Sequence, residues 1–442
     1  MVITILASVL LASQVKSDPQ LTLGQLRALL PVSVRLHPRK VSEGWKFACI
    51  AAGVPTPPRT TKEQLGGVFP VHQTDRKAAP NPALFGDWKD ADEPFVVQAE
   101  AFLETQKSRF DALDKALTYS DWSSDRYPNS LIPTEDTFGA SDFPVHAGLK
   151  SLAKSLVMQS RVDMFRHHPH EAVTAIVKAH QTGTHLSTGE GPLIGYLVGI
   201  AIRAIADKEA LRMSADLSSD EIERLVQALS HDDPKAEFAM ALRCDLDGGS
   251  LQLIGATPDP AKIKASEFPA ELRGHPFPLD RKATVTMLGR LVAKRIDHLP
   301  LNWSQQPDVV ADLNRATASV PRAWLDHGTD ALTPAEVKKL APELRKVNNP
   351  LGLQYLDLAM RLMDRHFLEV PFRELERNRI NILALRASAY LKDHGSLPKS
   401  LDDLAGTNRD PFSEKPFLYD VAKGTISSGP QSPKPYTVKI SR

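Results

Sequence analysis

Apolar residues recur at helical spacing along most of this chain. In "TLGQLRALLP" the leucines Leu23, Leu26, Leu29 and Leu30 share one face and Pro31 ends the run, which predicts a short helix. From Glu93 to about Thr118, Val97, Phe102, Phe110, Leu113 and Leu117 fall near one another on a helical projection, with charges opposite, and predict one amphipathic helix. The densest pattern covers 145–254. There "AGLKSLAKSLVMQSRVDMFR" reads as a helix, Pro169 opens a second at its first position, and "GPLIGYLVGIAIRAIADKEALRM" reads as a third. Ser218 and Glu221 frame a capping box for a fourth, and a fifth follows Pro234. Short connections make such helices antiparallel neighbours.

Breakers divide the pattern. Pro and Gly interrupt every period between Val54 and Trp88, and a second connector runs from about 119 to 143. After a Pro-broken stretch, "TVTMLGRLVAKRIDHL" returns to helical spacing, and Thr333 and Glu336 frame another cap. The end of the chain differs in kind: a helix "RINILALRASAYLKDH", a turn at Gly395 and Pro398, then "KPFLYDV", "GTISS" and "PYTVKIS" with strand composition. The predicted fold class is therefore mainly α, a helical-hairpin body followed by a small C-terminal α+β module with one helix packed on a short antiparallel sheet. The expected division is a candidate signal segment over 1–20, an irregular Pro-rich region over 21–90, a helical body over 91–370 and the terminal module over 371–442.

Composition narrows the partners. With 54 Lys+Arg against 53 Asp+Glu the net charge is +1, so no overall field exists to hold nucleic acid through its phosphates. The apolar run Val2 to Ala12 has the length of a secretory signal and is too short to span a bilayer; no other run reaches that length, so no integral span is expected. Cys49 and Cys244 have no CxxC neighbour, which leaves two buried thiols or one long-range disulfide.

Candidate chemistry is sparse. "FRHHPHEAVTAIVKAH" gathers His167, His168, His170 and Glu171, the donor types of a zinc or iron site, and these four are the candidate metal ligands. The spacing is not HExxH, and His168 and His170 flank the Pro169 junction, where exposed histidines are the alternative reading. The S-x-x-K spacings at Ser151 and Ser396 occur without their companion elements, and Asp245 and Asp247 in "CDLDGGS" lack the closing Glu of a calcium loop and read as a helix-ending turn. Gly191, Gly195 and Gly199 form a stripe for close helix packing. No catalytic residue and no cofactor is assigned.

The terminal pattern carries a resemblance. Tyr390, Asp393, Gly395, Pro398, Leu401 and Leu404, then Asp410, Pro411, Phe412, Pro416 and Tyr419, then Ser427, Ser428 and Gly429 follow one another in the order of a helix, an acidic-x-Gly turn, Pro-x-x-Leu-x-x-Leu, Asp-Pro, an aromatic strand and Ser-x-Gly. This resembles the globular domain of bacterial type II secretion pseudopilins and related pilin-like exported proteins. The resemblance implies an exported protein, periplasmic or of the cell envelope, acting through contacts with a protein partner. Two family features are missing: the preceding helix carries Arg373, Arg377, Arg379 and Arg386 and is too charged to span, and "SSGPQSPKPYTV" offers no acid for calcium. The alternatives are a metal-dependent hydrolase built on the histidine junction with acids such as Glu171 and Glu190, or a cytoplasmic helical scaffold.

Overall fold

A computed structural model of the chain describes residues 21–36, 41–54, 82–86, 88, 91–123, 143–189, 191, 193–230, 233–256, 279–306, 308–325, 334–361 and 365–441. The segment 1–20 and most of both connectors lie outside the described residues. Within 21–90 stand α1 (Leu23–Ala28), the short helix expected from its leucines, and α2 (Glu43–Ala51), where irregular chain was expected. Thr22 caps α1 with Gln25 in a reciprocal box, as short polar side chains do when they satisfy orphan N–H groups. Ser42 caps α2, whose Ala48, Cys49 and Ala51 bury their small side chains. Those small residues give little periodic signal, which is why this helix is hard to read from sequence.

The run read as one helix from Glu93 is two, α3 (Glu93–Thr105) and α4 (Lys107–Leu117), broken at Gln106. The break has a packing cause: α3 lies on α5 while α4 turns to pack on α2 and α6. The buried face of α3 is accordingly Val96, Ala99 and Leu103, and Val97 points outward. The bundle continues with α5 (Phe143–Phe165), α6 (Pro169–Thr188), α7 (Leu193–Met213), α8 (Ser219–Leu229) and α9 (Pro234–Asp245). Pro169 and Pro234 occupy first-turn positions, where a missing N–H costs nothing. A π turn over Leu246–Ser250 joins α9 to α10 (Leu251–Ala256), so "CDLDGGS" continues a helix and does not end one. Then follow α11 (Arg281–His298), α12 (Val309–Thr317), α13 (Pro334–Leu344), α14 (Pro350–Arg361) and the long α15 (Arg365–His394).

Two large cores hold the body. One joins α2, α4, α5, α6, α7 and α8 through residues such as Leu113, Leu149, Ile176, Ile202 and Leu225. The other joins α1, α9, α11, α14 and the start of α15 through Leu26, Phe238, Leu288, Leu356 and Phe372. Helix α7 serves both, with Tyr196 in the second and Ile202, Ala206 and Met213 in the first. An apolar helix that packs on two cores at once is a central rod, and only Lys208 and Arg212 of α7 are exposed. The glycine stripe works at its C-terminal end: a Cβ on Gly199 would stand 2.6 Å from the Gly183 carbonyl, whereas one on Gly191, ahead of the helix, would meet nothing.

The terminal module has one helix against a three-stranded antiparallel sheet, β1 (Leu418–Asp420), β2 (Thr425–Ser427) and β3 (Thr437–Lys439), in the order β1-β2-β3. Tyr419 pairs with Ile426 and Ile426 with Val438. Ile380, Leu383, Ala384 and Ala387 of α15 meet Leu401, Phe417, Ile426 and Val438 in a separate small core. Gly395 ends α15 in the left-handed region at φ 71°, where a side chain is disfavoured. The module is joined to the body through α15, which also places Leu385 in the first core and Phe372, nearer its start, in the second. Among the described residues no helix is long and apolar enough to cross a membrane.

Candidate functional site

Where α15 crosses α7, charge runs through the interior. Residues three and four apart share a helix face. On α7 this aligns Arg203 with Asp207, and on α15 it aligns Glu374, Arg377, Asn378 and Asn381. Arg203 is fully buried, and its guanidinium grips Glu237 of α9 with two bonds of 3.0 and 2.8 Å. The same group reaches Glu374 at 3.2 Å and the Ser187 hydroxyl of α6 at 2.8 Å. Its stem fits because position 183 has no side chain; a Cβ there would lie 2.7 Å from Arg203 Cγ.

The network continues toward the module. Arg377 holds Glu374 at 2.6 Å and stands 3.7 Å from Asp207, which lies 3.6 Å from His180 Nε2. Asn381 donates to Asp207 at 3.2 Å and accepts at 3.0 Å from the hydroxyl of Tyr436, just before β3. Asn378 donates to the Leu229 carbonyl at the end of α8. Side chains from four helices and the module thus meet in one seam, whose two hydrogen-bonded parts are joined by the ion pair of Arg377 with Asp207.

Its electrostatics follow from burial. Two guanidinium groups face three carboxylates, and His180 stands beside the third. Desolvation raises the Asp207 carboxyl, against the pull of His180 and Arg377. Burial lifts the Tyr196 hydroxyl well above its ordinary range, reinforced by Glu374 and Glu237, and also lifts Tyr436. Arg203, Asp207, Glu237 and Glu374 are all sealed from solvent. Charges so enclosed and so paired fasten elements together.

A second polar cluster organises the module. Asp410, fully buried, accepts the N–H groups of Phe412 at 2.7 Å and Gly429 at 2.9 Å. The Asp-Pro and Ser-x-Gly elements of the sequence pattern are therefore clipped to each other. A Cβ on Gly429 would come within 2.9 Å of Asp410 Oδ2, so the clip needs the bare backbone. Ser428 closes the next link, its hydroxyl donating to the Tyr436 carbonyl and accepting the Tyr436 N–H at 2.7 Å. Glu376 of α15 lies beneath this loop and accepts from Ser432 at 3.2 Å.

The candidate metal ligands have a different setting. His167, His168, His170 and Glu171 are all exposed at the α5–α6 junction. His167 takes the left-handed φ of 61° that turns the chain out of α5. His170 Nδ1 is 3.1 Å from Glu221 and 2.8 Å from Arg224, both on α8. Glu171 instead borders a groove of about 310 Å³ with Phe110, Leu113, Leu156 and the Asp114–Lys178 ion pair. Among the described residues no three His, Cys, Asp or Glu side chains converge as a metal site would require. Glu190 lies outside the described residues. Ser151 and Lys154 are exposed on α5, and Ser396 and Lys399 on the turn after α15. Cys49 and Cys244 are both buried.

Asp245 and Asp247, weighed in the sequence as a turn, are fixed structurally. Asp247 forms a two-bond pair with Arg27, tying α1 to the π turn, and Asp245 accepts the Leu193 N–H at the start of α7. The Arg203 network escaped sequence reasoning. Its one signal was a charge inside the apolar run "LIGYLVGIAIRAIADKEAL", where Arg203, Asp207 and Glu209 interrupt an otherwise buried helix. Comparison with protein-family models, with curated proteins and with solved structures finds no match to this chain.

Proposed function

We propose that this chain is an exported bacterial protein without catalytic activity, which works by presenting its terminal α+β module to a protein partner at the cell envelope. The observation that carries the reading is the clip at Asp410: the residues that resemble the pseudopilin pattern, Asp410, Ser428 and Gly429, meet through short hydrogen bonds in one small fold. The interior chemistry supports it too. The charge constellation at Arg203 joins the module's helix to the body, so that the module is presented on a fixed base. Exposed Leu418 and Val421 at the outer strand supply apolar surface for contact.

Cell fractionation with sequencing of the mature N-terminus tests the reading. The expected result is protein in the exported fraction with its start removed within the first twenty or so residues. Protein confined to the cytoplasm with Met1 or Val2 at its start would overturn export. Mass spectrometry of bound metals on purified protein tests the other half: stoichiometric zinc or iron that is lost in a His168→Ala/His170→Ala variant would replace the contact reading with metal chemistry.

A further inference from the structure

Glu376 is a buried carboxyl that the network at Arg203 does not use. It sits on α15 under the 428–436 loop and is 1% exposed. One oxygen, Oε2, receives the Ser432 hydroxyl, while Oε1 has no hydrogen-bond partner among the described residues. The groups that face it are Asp410 from the 408–414 turn, the hydroxyls of Ser428 and Ser432 from the loop, and Arg373 from its own helix. An ionised carboxylate needs several donors when taken out of water. Here it has two serine hydroxyls, of which Ser428 also donates to the Tyr436 carbonyl, and a second buried carboxylate lies nearby whose own oxygens already hold the backbone of Phe412 and Gly429.

We propose that Glu376 is a proton-operated latch: with its proton the carboxyl sits neutral under the 428–436 loop and holds it on α15, and on losing the proton it drives that loop to open. The loop is the right element to respond, because its polar hold on α15 runs through Ser428 and Ser432 to Glu376 and through Tyr436 to Asn381, so that two of the three contacts fall on this one carboxyl. Opening it also removes the Tyr436 hydroxyl from Asn381 and so reaches the Asp207 end of the interior network.

Burial and the Asp410 charge raise the carboxyl from 4.5 to about 7, against the pull of the serine hydroxyls and Arg373. In the opened loop the group returns to its ordinary value. The closed state therefore binds the proton more tightly, and closure weakens as pH rises between those two values. With these numbers the opening equilibrium grows about 30-fold between pH 5.5 and 8.5. The latch rests on the module's fold and is independent of the export reading, so either can fail alone.

Hydrogen exchange by mass spectrometry on the full chain, corrected for the intrinsic pH dependence of exchange, reads this directly. Protection of the 428–436 amides is expected to fall by about 30-fold from pH 5.5 to 8.5 while α7 amides keep theirs. Glu376→Gln, neutral at every pH, should abolish that dependence, and Ser432→Ala should raise opening at both pH values while preserving it. Should Glu376→Gln fail to fold, the carboxyl titration of labelled wild-type protein decides, with a midpoint near 7 expected for Glu376. Equal loop protection at the two pH values, an equal loss across α7, the same dependence in Glu376→Gln, or an ordinary glutamate midpoint would each overturn the latch.

Discussion

Replacing Arg203 by Met removes the cation at the centre of the interior network while keeping most of the stem that passes over Gly183. Four hydrogen bonds disappear, two to Glu237 and one each to Glu374 and Ser187. The two carboxylates are affected unequally. Glu374 keeps Arg377 at 2.6 Å, whereas Glu237 loses a two-bond guanidinium in a site that is 4% exposed. Removing one partner of a buried pair costs about 3–5 kcal/mol, because the remaining charge stays desolvated. The position of Glu237 in the first turn of α9 returns some of this through the helix dipole, roughly 0.3–1 kcal/mol. A net loss of about 3 kcal/mol is expected. Urea unfolding followed by circular dichroism measures it, with the midpoint falling by about 1 M if the slope is about 3 kcal/mol per M. The diagnostic comparison is Arg203→Met/Glu237→Gln, in which the stranded charge is gone. That double variant should be more stable than the sum of its singles by about 1–3 kcal/mol. A single variant within about 0.5 kcal/mol of wild type, or strict additivity in the cycle, would refute the reasoning that burial makes this pair matter.

Two further outcomes can be checked on the same protein. Gly199→Ala forces a methyl to within 2.6 Å of the Gly183 carbonyl and should cost about 1–3 kcal/mol, read as a lower thermal midpoint, while Gly191→Ala, with open space around it, should stay within about 0.5 kcal/mol. His146 packs beside Trp45 and is 3% exposed, and burial pulls its imidazole from 6.5 down to about 4. The unfolded chain thus takes up a proton that the folded chain refuses, so stability is complete above about pH 6.5 and is lost as pH falls toward 4. Wild type should lose about 3 kcal/mol more than His146→Gln between pH 7 and pH 4 in urea unfolding; equal losses would show that the imidazole is not held neutral.

The legible parts of the fold were those written in local chemistry. Caps and stops at Pro169, Ser218, Pro234 and Gly395 mark real element ends, because each acts through its own backbone or the next turn. The single helix expected from Glu93 failed at Gln106 because nothing local breaks it; two different neighbours pull its halves apart. Helix α2 was missed because alanine and cysteine leave a weak apolar stripe. At the candidate sites, the histidines at 167, 168 and 170 were conspicuous in sequence but lie exposed on a junction. The interior network was inconspicuous because its members, from His180 to Tyr436, span most of the chain and each alone reads as an ordinary polar residue.

By itself the sequence determined that this protein is built mainly of amphipathic helices and that its last residues turn from helix to a small sheet, since periodicity, capping and turn residues act over a few positions. Only the tertiary structure decided which charges go inside. A buried charge is acceptable only where a distant partner is brought to it, and that condition joins Arg203 to Glu237 and Glu374, and Asp410 to Gly429.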